Sequence, residues 1–275
     1  MRLLVKVGGA QLEQPEARAS FAGALVRARA AGHELLVVHG GGNQIRALGG
    51  RLGLAERYVD GLRVTEGELA DVVLMVLAGL VNRTLVHALQ RAGVPAVGVC
   101  GADGELFGAR KLSGKAGENL GFVGELAQPR PELAHALLAQ GFTPVIATSA
   151  PLATGETGSD AHFYNVNADL AAGPLAHALA ADALLFLTDV PGVLGAQGEL
   201  LRELDAERCA ELRAANVLRG GMLPKTDAAL AAAAASPRSL IKIAPASGTD
   251  AVLRALEPTV GTRFLHTGVT AARRA

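Results

Sequence analysis

Two lysines and one aspartate stand where charge chemistry is possible. Lys6 interrupts the apolar run Leu3-Leu4-Val5-Lys6-Val7 directly before Gly8-Gly9, and Lys225 follows Gly220-Gly221-Met222-Leu223-Pro224. Between them in the chain, Asp169 closes the run Asn165-Val166-Asn167-Ala168-Asp169. A lysine beside a side-chain-free loop suits an anion, because bare backbone can aim N–H groups at it and a following helix adds its positive end. An aspartate between the two lysines would hold both in register and offset their repulsion. Each feature also has a plainer reading. Lys6 would be an edge-strand lysine reaching water, since buried lysines are rare unless paired. Lys225 would be an ordinary exposed helix residue, and the Asn/Asp run an N-cap cluster for the next helix. If that run is extended, Asn165, Asn167 and Asp169 share one side.

Two glycine loops, Lys6-Val7-Gly8-Gly9 and His39-Gly40-Gly41-Gly42, follow short apolar runs. Neither is a GxGxxG dinucleotide fingerprint or a GxxxxGK[ST] phosphate loop. Ligands of open α/β sheets sit beyond the carboxyl ends of strands, which is where both loops fall. One such loop alone reads as a tight turn; two on neighbouring strands point to phosphate.

The elements that must carry these residues follow one rhythm of short apolar run, glycine loop and amphipathic helix. Strands are expected at 3–7, 35–38, 96–100, 143–147, 183–188, 240–243 and 262–265, with helices at 16–31, from 43, and at 131–140, 168–181, 205–215, 222–235 and 248–256. Apolar residues recur mostly every three or four positions across 66–91, which predicts one long helix there. Residues 101–125 read as hairpins or loops, and Pro191-Gly192 as a turn. Asp205 is the expected N-cap of its helix, and Pro224 suits a first turn. Strands alternating with helices imply a mostly parallel sheet between helix layers. The polar, glycine-rich stretch 154–160 is the expected boundary between two unequal lobes.

Composition removes several alternatives. The chain has 275 residues, 26 Lys+Arg against 26 Asp+Glu, 50% hydrophobic residues and 3% aromatics, so it lacks the cationic footprint and stacking platforms of a nucleic-acid binder. The apolar fraction argues against disorder. Two cysteines, Cys100 and Cys209, form no disulfide framework, and no Cys/His cluster suggests a metal site. The strand-like start leaves no room for a signal peptide, and the longest stretch without Asp, Glu, Lys or Arg, 133–155, reads as helix-turn-strand rather than a membrane span. A cytoplasmic protein that binds neither nucleic acid nor membrane is expected.

The chain resembles the amino acid kinase family. The matching segments include Lys6-Val7-Gly8-Gly9, Val38-His39-Gly40-Gly41-Gly42, Gly61-Leu62-Arg63-Val64-Thr65, Val81-Asn82-Arg83, Leu120-Gly121-Phe122-Val123-Gly124-Glu125, Asn165-Val166-Asn167-Ala168-Asp169, Leu187-Thr188-Asp189-Val190-Pro191-Gly192-Val193-Leu194 and Gly220-Gly221-Met222-Leu223-Pro224-Lys225. They occur in family order over nearly the whole chain. The Gly-Leu-Arg-Val-Thr segment with the Val-Asn-Arg helix selects the branch that phosphorylates N-acetyl-L-glutamate over those acting on carbamate, aspartate or uridylate. The resemblance implies an α/β fold, a three-layer αβα sandwich with a mostly parallel central sheet. It implies an N-terminal lobe (1–160) for acceptor binding and dimerisation and a C-terminal lobe (161–275) for ATP with Mg²⁺, the metal held mainly by the phosphates. By the same resemblance Lys6 and Lys225 flank the transferring phosphoryl group and Asp169 orients them. Gly9, Gly41 and Gly42 donate N–H groups, and Arg63 and Asn165 hold the acceptor's α-carboxylate. Gly8, Asp189, Val190, Gly192, Val193, Leu194, Val217, Leu218 and Arg219 line the nucleotide. A homodimer with little arginine inhibition is expected, because no helix precedes the first strand.

The residue inventory suits that reaction. A γ-carboxylate acceptor, with a pKa near ~4.3 like a Glu side chain, is already ionised at pH 7, so no general base is required. Catalysis then rests on alignment and on stabilising the spreading phosphoryl charge. His39 is expected to be a structural ring holding its turn. Three departures from the family pattern stand out. Asp60 would sit awkwardly if it faced a dianionic substrate, Cys100 replaces a small polar residue, and Ala244-Pro245-Ala246-Ser247 replaces a usual Asp-Gly-Arg-like turn. The rivals are a kinase of a carrier-protein-linked aminoadipate or glutamate, whose acidic carrier would want a basic rim, and a non-catalytic amino-acid sensor, which would not need Lys6, Asp169 and Lys225 together. A Rossmann-type dehydrogenase is disfavoured by the missing fingerprint.

Overall fold

The computed structural model describes residues 1–266. The part of the expected C-terminal lobe after residue 266 therefore lies outside the described residues. The chain begins with β1 (Arg2–Val7), α1 (Pro15–Ala30), β2 (Glu34–His39) and α2 (Gly42–Arg51). A small hairpin follows, β3 (Tyr58–Val59) and β4 (Leu62–Arg63). Next come α3 (Gly67–Leu74), α4 (Asn82–Arg91), β5 (Ala96–Val99), β6 (Gly108–Ser113), β7 (Asn119–Ala127), α5 (Glu132–Ala139) and β8 (Thr143–Ala147). The remainder runs β9 (Ser149–Ala150), β10 (Tyr164–Val166), α6 (Ala168–Ala178), β11 (Ala183–Thr188), β12 (Glu203–Leu204), α7 (Ala206–Ala214), α8 (Met222–Ala235), β13 (Leu240–Pro245), α9 (Ala251–Leu256) and β14 (Thr262–Phe264).

The main sheet has eight strands in the order β12-β14-β13-β11-β1-β2-β8-β5. Its six strands from β13 to β5 are parallel, and β14 runs antiparallel to β13. Parallel strands share one carboxyl end, so the loops after Val7, His39, Ala147 and Thr188 all open on the same edge. β1 and β2 are neighbours in register, Val7 opposite His39, which sets the two glycine loops side by side. β1 is central and buried from Leu3 onward, so Lys6 is no edge-strand lysine.

Each face of the sheet carries its own core. Leu4, Leu36, Val38, Leu184, Phe186, Ile241 and Ile243 pack with Ala171, Leu175, Leu212, Ala229 and Ala232 on the α5–α8 side. Leu3, Val5, Val7, Leu35, Val37, Leu185 and Leu187 pack with Leu25, Val73, Leu85 and Val252 on the other. The three-layer αβα sandwich is thus the observed fold. Small residues let α6 and α8 approach closely: a Cβ on Gly173 would meet Ala232 Cβ at 3.2 Å. A second sheet, β6-β7-β10-β9, covers the site edge, with β10 parallel to β7 and antiparallel to β9.

One expectation needs correcting. The helix over 66–91 is not uniform, because Met75–Val81 forms π-helical turns between α3 and α4. The hairpin expected within 101–125 is present, β6 pairing antiparallel with β7. The stretch 154–160 falls in the loop between β9 and β10, while the main sheet runs through both halves of the chain without a break. Among the described residues, Gly67–Arg91 is the helix long and apolar enough to cross a membrane by length and composition; half of its apolar window is buried inside the fold.

Candidate active site

The period-two alternation of β1 turns Leu4 and Lys6 to the α5–α8 side of the sheet. There the first turns of α6 and α8 meet Lys6. Asp169 Oδ1 lies 2.8 Å from Lys6 Nζ and 2.9 Å from Lys225 Nζ, so one carboxylate oxygen bridges both ammonium groups. Asn167 is the N-cap of α6: its side-chain oxygen accepts from the Asp169 and Leu170 N–H groups at 2.9 and 3.2 Å. The capping reading therefore holds for Asn167. The chain is extended from Tyr164 to Asn167 and turns helical at Ala168, so Asp169 lies beyond the extended run, although Asn165, Asn167 and Asp169 all line the same cavity. Burial pushes the Lys6 pKa down, and Lys225 adds to that, against the pull of Asp169. Burial alone would raise the Asp169 carboxyl, but the two lysines outweigh it and hold it below the usual range.

This cluster lies on a cavity of about 200 Å³ lined by Lys6, Gly40, Gly41, Gly42, Ile45, Tyr58, Gly61, Leu62, Arg63, Leu77, Val123, Thr148 and the run Asn165 to Asp169. The start of α2 opens into it with Gly41 as N-cap and no side-chain cap, which leaves first-turn N–H groups for an anion. Two of the glycines are needed by the protein itself. A Cβ on Gly41 would meet Leu77 Cδ2 at 2.8 Å, and one on Gly9 would meet Gln44 Oε1 at 2.9 Å and Gly41 Cα at 3.0 Å. Gly42 is different: nothing lies within 4 Å of its would-be Cβ, and its backbone is helical.

Arg63 ends the β3–β4 hairpin. Its Nη2 donates to the Gly42 carbonyl at 3.0 Å and its Nη1 to Glu56 Oε1. Glu56 also accepts from the Tyr58 hydroxyl at 2.6 Å and from Arg46 Nε at 2.7 Å. Burial works against the Glu56 charge, but the Tyr58, Arg46 and Arg63 contacts prevail and lower its pKa to about 2. Asn165 projects from β10 and donates to Thr65 Oγ1 at 3.1 Å, while Thr65 donates to the Arg63 carbonyl at 2.9 Å. The hairpin turn is Asp60-Gly61, with φ of 52° and 80°, the left-handed pair that a tight two-residue hairpin requires. Asp60 is an exposed turn residue whose Oδ2 accepts from the Lys115 N–H at 2.9 Å. The expected conflict with an anionic substrate does not arise.

His39 is fully buried below the second glycine loop. Its Nδ1 lies 3.1 Å from the Gly40 carbonyl and its Nε2 3.0 Å from Asn82 Nδ2. A carbonyl only accepts and an amide nitrogen only donates, so the proton sits on Nδ1. Burial lowers the His39 pKa to about 4. Neutral and turned away from the cavity, the ring holds the loop. Cys100 is buried, and burial raises its thiol to about 11, as befits a small hydrophobe.

The cavity does not extend to the residues expected around the nucleotide. Asp189–Leu194 continues from the carboxyl end of β11, and Val217–Arg219 leads into α8 and Lys225. Asp189, Leu194 and Arg219 are exposed, and Val190 and Val217 are half-buried. Three of these residues also have packing roles in the fold. Val193 and Leu218 are core residues, and the Val193 N–H is already engaged by Thr262 Oγ1 at 2.8 Å. Gly192 is hemmed in by Leu200 and Thr262, so its missing side chain serves packing. Gly8 faces Gln11, whose Oε1 would lie 2.6 Å from a Cβ there. Sequence reasoning missed Tyr58, Ile45, Leu77, Thr148 and Glu56. The Asp-Gly dipeptide beside Tyr58 was the available signal for the hairpin that carries the site's arginine.

Two lysines clasped on one aspartate stand beside an uncapped, glycine-led helix start at the edge of a mostly parallel αβα sheet. The amino acid kinase family pattern matches residues 1–242, and the chain belongs to that family. Relatives within the family include acetylglutamate kinases. The one from Koribacter versatilis is 40% identical over 269 residues, covering 97% of this chain and all of that one. The one from Acidobacterium capsulatum is 43% identical over 228 residues, covering 83% and 85%. Among solved structures, smu.665 from Streptococcus mutans UA159 superposes with a TM-score of 0.78 at 27% identity, over 96% of this chain and 98% of that one.

Proposed function

We propose that the chain transfers the γ-phosphoryl group of ATP to the γ-carboxylate of N-acetyl-L-glutamate, giving ADP and N-acetyl-L-glutamyl 5-phosphate, in arginine biosynthesis in the cytoplasm. The observation that carries this is the Asp169 carboxylate bridging Lys6 and Lys225 on a cavity that Arg63 and Asn165 also line. In the proposal Lys6 and Lys225 stabilise the three equatorial oxygens of the transferring group, and Asp169 keeps them in place. The N–H groups at the start of α2 add their dipole. Arg63 and Asn165 bind the α-carboxylate and hold the nucleophile in line. The acceptor carboxylate is ionised at neutral pH, so a neutral, buried His39 is no obstacle. Transfer then depends on alignment and preorganised charge.

Among the described residues no group of three or more His, Cys, Asp or Glu side chains forms a cage for a metal. Asp169 Oδ1 already accepts from both lysines. This donor set fits Mg²⁺ that arrives on ATP and is held by its phosphates, where it would neutralise phosphate charge. The proposal keeps the acceptor mainly with residues 1–160 and the nucleotide with residues 161–275, although Asn165 and Asp169 reach across to the acceptor cavity. It includes a homodimer, for which the exposed Met75 and Leu80 on the Gly67–Arg91 helix offer an apolar face.

ADP release with free N-acetyl-L-glutamate, compared with carrier-linked aminoadipate or glutamate, tests the substrate. Turnover with the free acceptor is expected. Turnover with the carrier-linked acceptor alone would move the chain to the rival reading, and turnover with neither would favour a sensor. Mass by light scattering tests the dimer.

A further inference from the structure

Arg63 enters the cavity as a pinned group. Its guanidinium carries five N–H donors in a fixed planar fork. One donor on Nη2 is engaged by the Gly42 carbonyl and one on Nη1 by Glu56. The others are what a ligand in the cavity can use. Glu56 is itself held from two further directions, by the Tyr58 hydroxyl on Oε1 and by Arg46 Nε on Oε2. The Tyr58 ring lies 5.0 Å from Arg63 Cζ, which adds a cation–π contact from a third side. Glu56 stands behind Arg63 and Tyr58, outside the residues that line the cavity.

An isolated exposed ion pair flexes and contributes little. This one differs, because the Arg63 side chain is only 7% exposed and its other end is fixed to the backbone of the glycine loop. A planar fork recognises a carboxylate well only when its plane is already set. We propose that Glu56 is a positioning residue for the acceptor: acting through Arg63, it fixes the guanidinium plane so that the unengaged donors face the cavity. The chain Arg46–Glu56–Arg63 then links an exposed residue of α2 to the group that grips the substrate. This rests on reading Arg63 as the ligand of the acceptor's α-carboxylate.

The test is steady-state kinetics on the full chain with N-acetyl-L-glutamate and ATP. Glu56→Ala is expected to raise the acceptor KM about tenfold while kcat and the KM for ATP stay within about twofold, the pattern of lost ground-state binding. Glu56→Gln should recover most of the loss, because its amide oxygen still accepts from Arg63 and Tyr58. Arg46→Met, which changes a residue outside the cavity lining, should raise the acceptor KM about two- to threefold. In an Arg63→Ala background, Glu56→Ala should add nothing further. An unchanged acceptor KM in Glu56→Ala overturns the proposal, and a lowered one shows Glu56 to compete with the substrate instead. If Arg63→Ala raises KM and Glu56→Ala does not, this proposal fails and the carboxylate reading stands. If Arg63→Ala leaves KM unchanged, the carboxylate reading fails and this proposal falls with it. Should Glu56→Ala not fold, Glu56→Gln with Arg46→Met decides, and an Arg46→Met KM equal to that of the unaltered protein is the refuting result.

Discussion

Replacing Lys6 by methionine separates what the buried lysine does for the fold from what it does for catalysis. Its Nζ is 2.8 Å from Asp169 Oδ1, with Lys225 Nζ 2.9 Å from the same oxygen, so the two cations are at most about 5.7 Å apart. At an effective dielectric constant near 20, the attraction to Asp169 is about 6 kcal/mol and the repulsion from Lys225 at least about 3 kcal/mol. Withdrawing an ammonium group from water costs several kcal/mol more. These opposing terms nearly cancel, in keeping with the lowered pKa of Lys6, in which burial outweighs Asp169. Methionine fills a similar volume and leaves Asp169 paired with Lys225 alone. Lys6→Met is therefore expected to change the unfolding free energy at pH 7.5 by no more than about 1 kcal/mol. Its kcat should fall by a factor of about 10²–10³, the loss of one preorganised charge in the transition state. Denaturant titration and an ADP-release assay at saturating substrates measure the two. A kcat within about tenfold of the unaltered protein would remove Lys6 from the transferring phosphoryl group. A stability loss above about 3 kcal/mol would show that the cluster is structural and that the balance above is wrong.

Arg63→Ala is expected to raise the acceptor KM by a factor on the order of 10–100, as a carboxylate loses a charge-assisted partner; unchanged KM would take Arg63 out of the site. Gly42→Ala adds a methyl that meets no protein atom within 4 Å, so stability should hold or rise by up to about 1 kcal/mol. The kcat/KM of that variant should nevertheless drop at least about tenfold, and retained activity would mean that no ligand approaches there. His39 titrates at about 4 in the fold against 6.5 unfolded. Between those values the unfolded chain binds the extra proton, so stability falls as pH drops from 6.5 and levels off near 4, by about 3 kcal/mol in all. In His39→Gln, denaturant titrations across that window should lack this component, and an unaltered slope would contradict the neutral ring.

Much of this site was legible because its signals are local. Lys6 stands inside an apolar strand before two glycines, and the alternation of β1 already decides which helix layer it faces. The mutual placement of Asp169 and Lys225 was inferable only as a compensation of charge, since nothing at a spacing of 56 residues states a contact. The β3–β4 hairpin was missed because two-residue strands carry no period. The π-helical turns at Met75–Val81 leave the apolar recurrence of the helix unbroken, so no pattern marks them. Val193 and Leu218 were expected beside a ligand, and that expectation carried no sign that their side chains anchor the loops from inside. Lys242, buried on β13 with its Nζ donating to the Glu257 carbonyl at 2.6 Å, went unnoticed for the converse reason. A lysine that reaches the backbone at a helix end leaves no motif.

The central claim is that this chain makes an acyl phosphate on N-acetyl-L-glutamate using the Lys6–Asp169–Lys225 cluster. Hydroxylamine traps such a product as a hydroxamate, which ferric iron reveals by colour. With MgATP, N-acetyl-L-glutamate and hydroxylamine, the account predicts hydroxamate that accumulates in proportion to ADP, requires ATP and falls about 10²-fold or more in Lys6→Met. ADP release without hydroxamate, or hydroxamate formed equally well by Lys6→Met, would contradict it.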